Sequence, residues 1–311
     1  MAGSELGGPN IGSRARDPPT PEQKHLSFAE TVILGALAGL TIYLSLPFGR
    51  LELLSDRARV GLAMFSVGVL AFLFVDVFEH AFGIVEHSVE GYKDGQSGLG
   101  RAVGLTAILG AGFALGSAGL AVVERWMRSG RAEQPPIAGG AADAMTVDQA
   151  EAVALQSSYA RRRALQTGMT IAAAIGLHNF AEGLAIGVSA NAQEISLATV
   201  LIVGFALHNA TEGFGIVGPL GDVRPSWAWL GLAGLIGGGP VFLGSVVGYN
   251  VSSEPLELCF YALSGGAILY VIGEVWNGMR RYGHRELGLW LLSLGFLAGL
   301  ITDLIVVYGG G

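Results

Sequence analysis

Two apolar stretches decide how this chain reads: LQTGMTIAAAIGLHNFAEGLAIGVSA over residues 165–190 and ISLATVLIVGFALHNATEGFGIVG over residues 195–218. Each exceeds the roughly 20 mostly apolar residues that a helix needs to cross about 30 Å of hydrocarbon. Each also carries the same polar insert, His178-Asn179-Phe180-Ala181-Glu182-Gly183 in the first and His208-Asn209-Ala210-Thr211-Glu212-Gly213 in the second. On a helix, His and Glu at i and i+4 lie on one face, one turn apart. Two such helices facing each other bring two imidazoles and two carboxylates together. That set suits a four-coordinate divalent ion, with Zn–N near 2.0–2.1 Å and Zn–O near 2.0–2.2 Å. Asn179 and Asn209 stand beside the pairs and can add carbonyl oxygens or hold a second, weaker ion. An ionised carboxylate at mid-membrane costs about 2.5–3.5 kcal/mol on insertion scales. Neither stretch contains a Lys or Arg to offset it, so a cation or protons must.

Six further stretches of the same character flank these two, near 28–48, 59–82, 102–124, 227–249, 257–276 and 287–308. The composition agrees: 51% of the 311 residues are hydrophobic and 14% are charged, against about 25% charged in soluble domains. The fold class expected is therefore an all-α polytopic membrane protein with eight transmembrane helices. Glycine, at 49 residues without a collagen period, suits membrane helices whose backbones approach closely. Gly35/Gly39, Gly112/Gly116, Gly183/Gly187, Gly244/Gly248 and Gly295/Gly299 have the spacing of such packing surfaces. The single Cys259 excludes a disulfide framework and a Cys-based metal cluster. A net charge of −7 gives no reason to expect nucleic-acid binding.

The basic residues set the expected orientation. Thirteen of the 18 fall on one set of loops: Arg50, Arg57 and Arg59; Arg125, Arg128 and Arg131; Arg161 to Arg163; Arg224; and Arg280, Arg281 and Arg285. That side is expected to be cytoplasmic, with both termini outside; in a prokaryote the membrane would be the cytoplasmic one. Residues 1–26, rich in Pro and lacking a signal-peptide pattern, read as a disordered extracytoplasmic tail. Helices 1–3 occupy 27–125, a cytoplasmic loop 126–163, and helices 4–8 residues 164–311. Thr146-Val-Asp-Gln149 resembles a capping box, from which a helix can run into the fourth span. Five tryptophans, Trp126, Trp227, Trp229, Trp276 and Trp290, lie near span ends, as in an aromatic belt.

Other polar residues lie in or near the spans. Asp76, Glu79 and His80 share one side of the second span at i, i+3 and i+4. Asp76 and His80 are candidates for an outer mouth that concentrates cations, whereas Glu86, His87, Glu90 and Asp94 read as a solvated helix end and polar loop. Asp303 lies in the last span without a basic neighbour, and intramembrane carboxylates usually face a cavity. Glu274, near the cytoplasmic end of the seventh span, is either an exit ligand or a partner for Arg280 or Arg281. Glu30 and Glu124 read as interfacial.

The eight spans, the long loop after the third and the paired H-N-x-x-E-G together resemble the ZIP (Zrt/Irt-like) family of divalent metal transporters. The specific residues are concentrated at 178–213. The resemblance implies a 3+2+3 helix arrangement with an inverted repeat and a binuclear-type site between spans four and five. It implies His178, Glu182, His208 and Glu212 as the main transport ligands, with Asn179 and Asn209 at the neighbouring position. It also relates Asp76 and His80 to a His and a Glu on span two, Asp303 to an Asp near the outer entrance, and Glu274 to a His-Glu pair. The chain departs from the family where Ala181 and Thr211 replace a Pro before each Glu, which should leave the helices less kinked. Gly239 stands where a further carboxylate precedes Pro240, and Asn209 is neutral where relatives have Asp. One strong ion site is therefore expected rather than two.

Three functions remain in view at this point. The first is a secondary transporter importing a divalent transition metal, Zn²⁺ first, with Fe²⁺, Mn²⁺, Co²⁺ and Cd²⁺ also suited to His and carboxylate ligands. Binding to such ligands releases protons, so it should weaken on acidification. The second is an intramembrane metal-dependent hydrolase. Against it, each His is followed by Asn, so the general base of H-E-x-x-H is missing, and no enzyme activity is expected. The third is a metal-binding channel or sensor. The partners expected are the divalent ion and the lipid bilayer, and a second copy of the chain in a homodimer is admitted.

Overall fold

Helices begin and end where local chemistry dictates. In the computed structural model, residues 26–51, 55–129, 147–192, 195–250 and 253–308 are described, and no strand occurs among them. Helix α1 (Phe28–Leu40) starts from a capping box in which Ser27 and Glu30 satisfy each other's backbone N–H groups. Ser55 caps α2 (Asp56–Lys93). A helix α3 (Leu99–Ala114) passes through a π turn at Leu115–Gly119 into α4 (Leu120–Ser129). The two site-bearing helices are α5 (Val147–Asn191) and α6 (Ile195–Val217). They are followed by α7 (Trp227–Asn250), α8 (Glu254–Met279) and α9 (Arg285–Tyr308). Among the described residues, seven helical segments are long and apolar enough to cross a membrane. The stretch read as the fifth span is α6, itself 23 residues long.

Several boundaries differ from the sequence reading. The first segment is α-helical only to Leu40 and continues as 3₁₀ turns over Thr41–Leu44 and Leu46–Arg50. There the Thr41 hydroxyl donates to Ala38 O and to Ala206 O of α6, and Pro47 opens the second turn. The polar run after residue 82 is a solvated helix end rather than a loop: α2 continues through Gly83 and Gly91 to Lys93 and ends before Gly95, whose φ is +72°. Within the expected loop 126–163, α4 runs to Ser129 and α5 starts at Val147, while 130–146 lie outside the described residues, as do 1–25 of the expected tail.

The basic connections meet at one end of the bundle. Arg59 bonds Asp222 and the Tyr282 hydroxyl, and Arg50 donates to Pro225 O. Arg161 donates to Arg224 O and Arg281 to Pro219 O. At the opposite end Arg101 pairs with Glu254 at 2.7 Å. Glu124, read as interfacial, lies on α4 with its side chain turned into the bundle. It is 5% exposed inside the bundle, where the Thr167 hydroxyl (3.3 Å) and the Tyr270 hydroxyl (2.8 Å) donate to it.

Close backbone contact through glycine docks α5 onto α7. A β-carbon at Gly183 would run into Val241 O of α7, one at Gly187 into Ser245 O, and one at Gly244 into Phe180 O. Gly116 meets Leu263 O on α8, and Gly295 meets Phe65 O on α2. The other paired glycines also lie against neighbouring helices. In lipid, where neighbouring helices gain little from the hydrophobic effect, such contact is the main source of association. Gly244→Ala should therefore destabilise the fold by about 1–3 kcal/mol, the usual cost of overpacking, whereas Gly104→Ala, with open space around it, should be neutral. Thermal unfolding of the two purified variants checks this; equal melting temperatures would contradict it.

Candidate metal centre

The HNxxEG inserts lie mid-helix on α5 and α6, which stay α-helical through them. This agrees with the absence of Pro before Glu182 and Glu212. The i,i+4 spacing puts His178 Nε2 2.9 Å from Glu182 Oε1 on the same helix. Across the helix pair, His208 Nε2 lies 2.6 Å from the same Glu182 oxygen, and His178 Nε2 lies 3.7 Å from Glu212 Oε1. Glu182 thus stands between two imidazoles. Donor atoms of His178, Glu182 and His208 all fall within 4.8 Å of one another. A tetrahedral zinc ion with bonds near 2.05 Å separates its ligand atoms by about 3.3 Å, so small side-chain rotations suffice to admit one.

All four side chains are buried: His178 is 1% exposed, Glu182 4%, His208 7% and Glu212 0%. Such polar groups are normally hydrogen-bonded to saturation. Here they are not. Of the seven buried side-chain N and O atoms without a hydrogen-bond partner among the described residues, five belong to this cluster: His178 Nε2, Asn179 Oδ1, Glu182 Oε2, Asn209 Oδ1 and Glu212 Oε1. Each is an electron-pair donor of the kind a cation binds, Nε2 when its ring is neutral. The remaining contacts hold the donors in position. The Ser264 hydroxyl of α8 lies 3.0 Å from His178 Nδ1, leaving Nε2 turned to the carboxylates, the arrangement by which outer partners orient a metal-binding imidazole. Asn179 Nδ2 donates to Glu212 Oε2 at 3.1 Å and to Gly237 O at 2.9 Å.

The structure separates the two asparagines. Asn179 supports Glu212, whereas Asn209 turns its amide toward Ala38 O of α1 at 3.4 Å. Gly239, the position read as lacking a carboxylate, lies beside Leu235 on α7, while the α7 group that reaches the cluster is the Gly237 carbonyl. Pro240 interrupts the α7 hydrogen-bond ladder beside it.

A cavity of about 360 Å³ runs from His178, Glu182 and His208 toward the end of the bundle opposite the basic loops. Asp76, Glu79 and His80 of α2 line it, as does Asp303 of α9. Glu274 does not; it is half-buried on α8 toward the basic end. Tyr261 and Thr302 also line the cavity. Neither these two nor Ser264 was singled out from sequence, since no spacing rule distinguishes a pore-lining hydroxyl from a packing one. Toward the basic end the path is closed. Ile171 and Ile175 of α5, Ile216 of α6, Val67 of α2 and Val275 of α8 form one buried apolar cluster there, each at most 1% exposed.

Compared with known protein families and with curated proteins, the chain matches none of them. The chemistry must be read from the residues: a buried His178–Glu182–His208 group able to bind a metal ion, inside a helical, membrane-type bundle.

An ion that binds only the folded state at 100 times its Kd adds about 2.7 kcal/mol of stability. Zn²⁺ at that excess should raise the unfolding temperature of the purified protein. Glu182→Gln, which alters the one carboxylate shared by both imidazoles, should remove most of that rise. A rise of equal size in the variant would mean that the ion binds elsewhere.

Proposed function

We propose that this chain is a secondary transporter of the ZIP (Zrt/Irt-like) type that imports a divalent transition metal, Zn²⁺ foremost. In this reading eight helices span the bilayer in a 3+2+3 arrangement with an inverted repeat, α6 being the fifth. The end carrying the arginine loops faces the cytoplasm, and both termini lie outside. His178, Glu182, His208 and Glu212 hold the ion. Asn179 positions Glu212, and the neighbouring position bounded by Asn209 holds at most a weaker ion.

The observation that carries the reading is one-sided access. The buried donor cluster communicates with one end through the acidic cavity, and packed aliphatic side chains from α2, α5, α6 and α8 close the other. A resident structural ion needs no such avenue, and a continuously open channel would lack the plug. A site reached from one side at a time is what alternating access requires. Asp76, Glu79 and Asp303 supply negative potential along the approach, raising the local cation concentration. Once seated, the ion compensates carboxylates that are otherwise costly at this depth.

Uptake of ⁶⁵Zn²⁺ into sealed proteoliposomes tests the reading. His178→Ala and Glu212→Ala should each abolish uptake while leaving insertion and purification intact. Either variant transporting at the normal rate would refute the shared site. Asp303→Asn should raise the apparent KM more than it lowers the maximal rate. The effect should be clearest at low ionic strength, since salt screens such attraction over about 8–10 Å. Loss of equilibrium metal binding in Asp303→Asn would instead make Asp303 a direct ligand. Hydrolysis of lipid or peptide without metal uptake would favour the metalloenzyme.

A further inference from the structure

A second cavity, of about 350 Å³, opens at the basic end of the bundle, remote from the His–Glu cluster. Val60 and Met64 of α2 make an apolar wall, and Trp276 stands over it from α8. Its cationic or protonatable groups are Arg280, His284 and Arg285, contributed by the turn that joins α8 to α9. Two other arginines near the cavity have partners within the protein. Arg59 meets Asp56 and Asp222, and Arg281 meets Pro219 O and stacks over Tyr282. Arg280 and Arg285 are exposed and make no ion pair or hydrogen bond among the described residues. The indole N–H of Trp276 is likewise uncommitted there. Glu286, next in sequence, does not line the cavity. The turn itself is unusual: His284, a residue with a β-carbon, takes a left-handed φ of +53° directly after Gly283.

Two guanidinium groups, an imidazole and an indole N–H present the donors that a phosphate group accepts, and arginine suits phosphate through its forked N–H pairs. A free phosphate ion has no use for the apolar wall. A phospholipid has, because its glycerol and upper acyl carbons must lie beside the headgroup. The α9 surface that continues from the cavity is apolar and outward-facing, with Leu289, Trp290 and Leu294 exposed. Trp276 and Trp290 also lie near the ends of α8 and α9 that meet at the cavity, the helix position at which aromatic side chains anchor to the headgroup layer. We propose that this cavity binds the headgroup of an anionic phospholipid, with Arg280 and Arg285 on the phosphate and the acyl chain following Val60, Met64 and the exposed face of α9. Such a site requires only that the chain lies in a bilayer, so its failure would leave metal transport untouched.

Native mass spectrometry of the full chain, released from nanodiscs of equal parts phosphatidylglycerol and phosphatidylcholine, tests the proposal. The wild type should retain phosphatidylglycerol in preference to phosphatidylcholine. In an Arg280→Gln/Arg285→Gln double variant the preference should fall about five-fold per charge removed, in line with the strength of a single arginine at an anionic surface. Arg57→Gln removes the same charge at the same end, but Arg57 does not line the cavity, and this variant should keep the wild-type preference. Retained Zn²⁺ stabilisation in the double variant establishes that it is folded. Equal retention of both lipids, or an equal loss in Arg57→Gln, would overturn the site by reducing it to general surface attraction. Binding of inorganic phosphate at Arg280 and Arg285 without lipid retention would overturn the lipid assignment.

Discussion

Two carboxylates and two imidazoles are buried together at mid-bundle with no lysine or arginine to balance them, and the rest of the structure is organised around that constraint. Water would normally solvate such groups, but α7 and α8 exclude it on two sides and the aliphatic cluster excludes it below. The arrangement is self-consistent only if something positively charged takes its place. Atoms on His178, Glu182, Glu212 and both asparagines that lack a hydrogen-bond partner form a set of electron-pair donors able to bind a metal ion. An apolar replacement of the same volume would pack more simply, which is why the cluster reads as function.

Glycine lets α5, which carries half of the cluster, pack closely on α7. Helices carrying donors on one face must bring those faces within a few ångströms of each other, and side chains of ordinary size hold helix axes 8–10 Å apart. On α5 the donor face (His178, Glu182) and the glycine face (Gly176, Gly183, Gly187) are distinct, so the helix docks to α7 through one while presenting the other to α6 and α8. The same device recurs between α3 and α8 and between α2 and α9. Chemistry and packing therefore occupy separate stripes, and each can vary without disturbing the other.

Much of this was legible in the amino-acid order because hydrophobicity and helical periodicity are local properties. The apolar stretches fall on helices, and the i,i+4 spacing brings His178 and Glu182 within 2.9 Å. What escaped the sequence was non-local. The burial of Glu124 depends on hydroxyls from α5 and α8. The service of Ser264 to His178 spans 86 positions. The divergence of Asn179 from Asn209, identical in motif context, follows from which carbonyl each meets: Gly237 on α7 for one, Ala38 on α1 for the other. The extension of α2 to Lys93 was missed for a different reason, since polarity alone cannot distinguish a solvated helix from a loop.

The central claim is that a single divalent ion completes this donor set. Anomalous diffraction from crystals soaked in Zn²⁺ addresses it directly. The account predicts one dominant peak within about 2.0–2.2 Å of His178 Nε2, His208 Nε2 and a Glu182 oxygen, with Glu182 and His208 drawn apart from their present 2.6 Å contact. No peak between α5 and α6, with that contact unchanged, would mean that protons rather than a metal balance the buried carboxylates, and would contradict it.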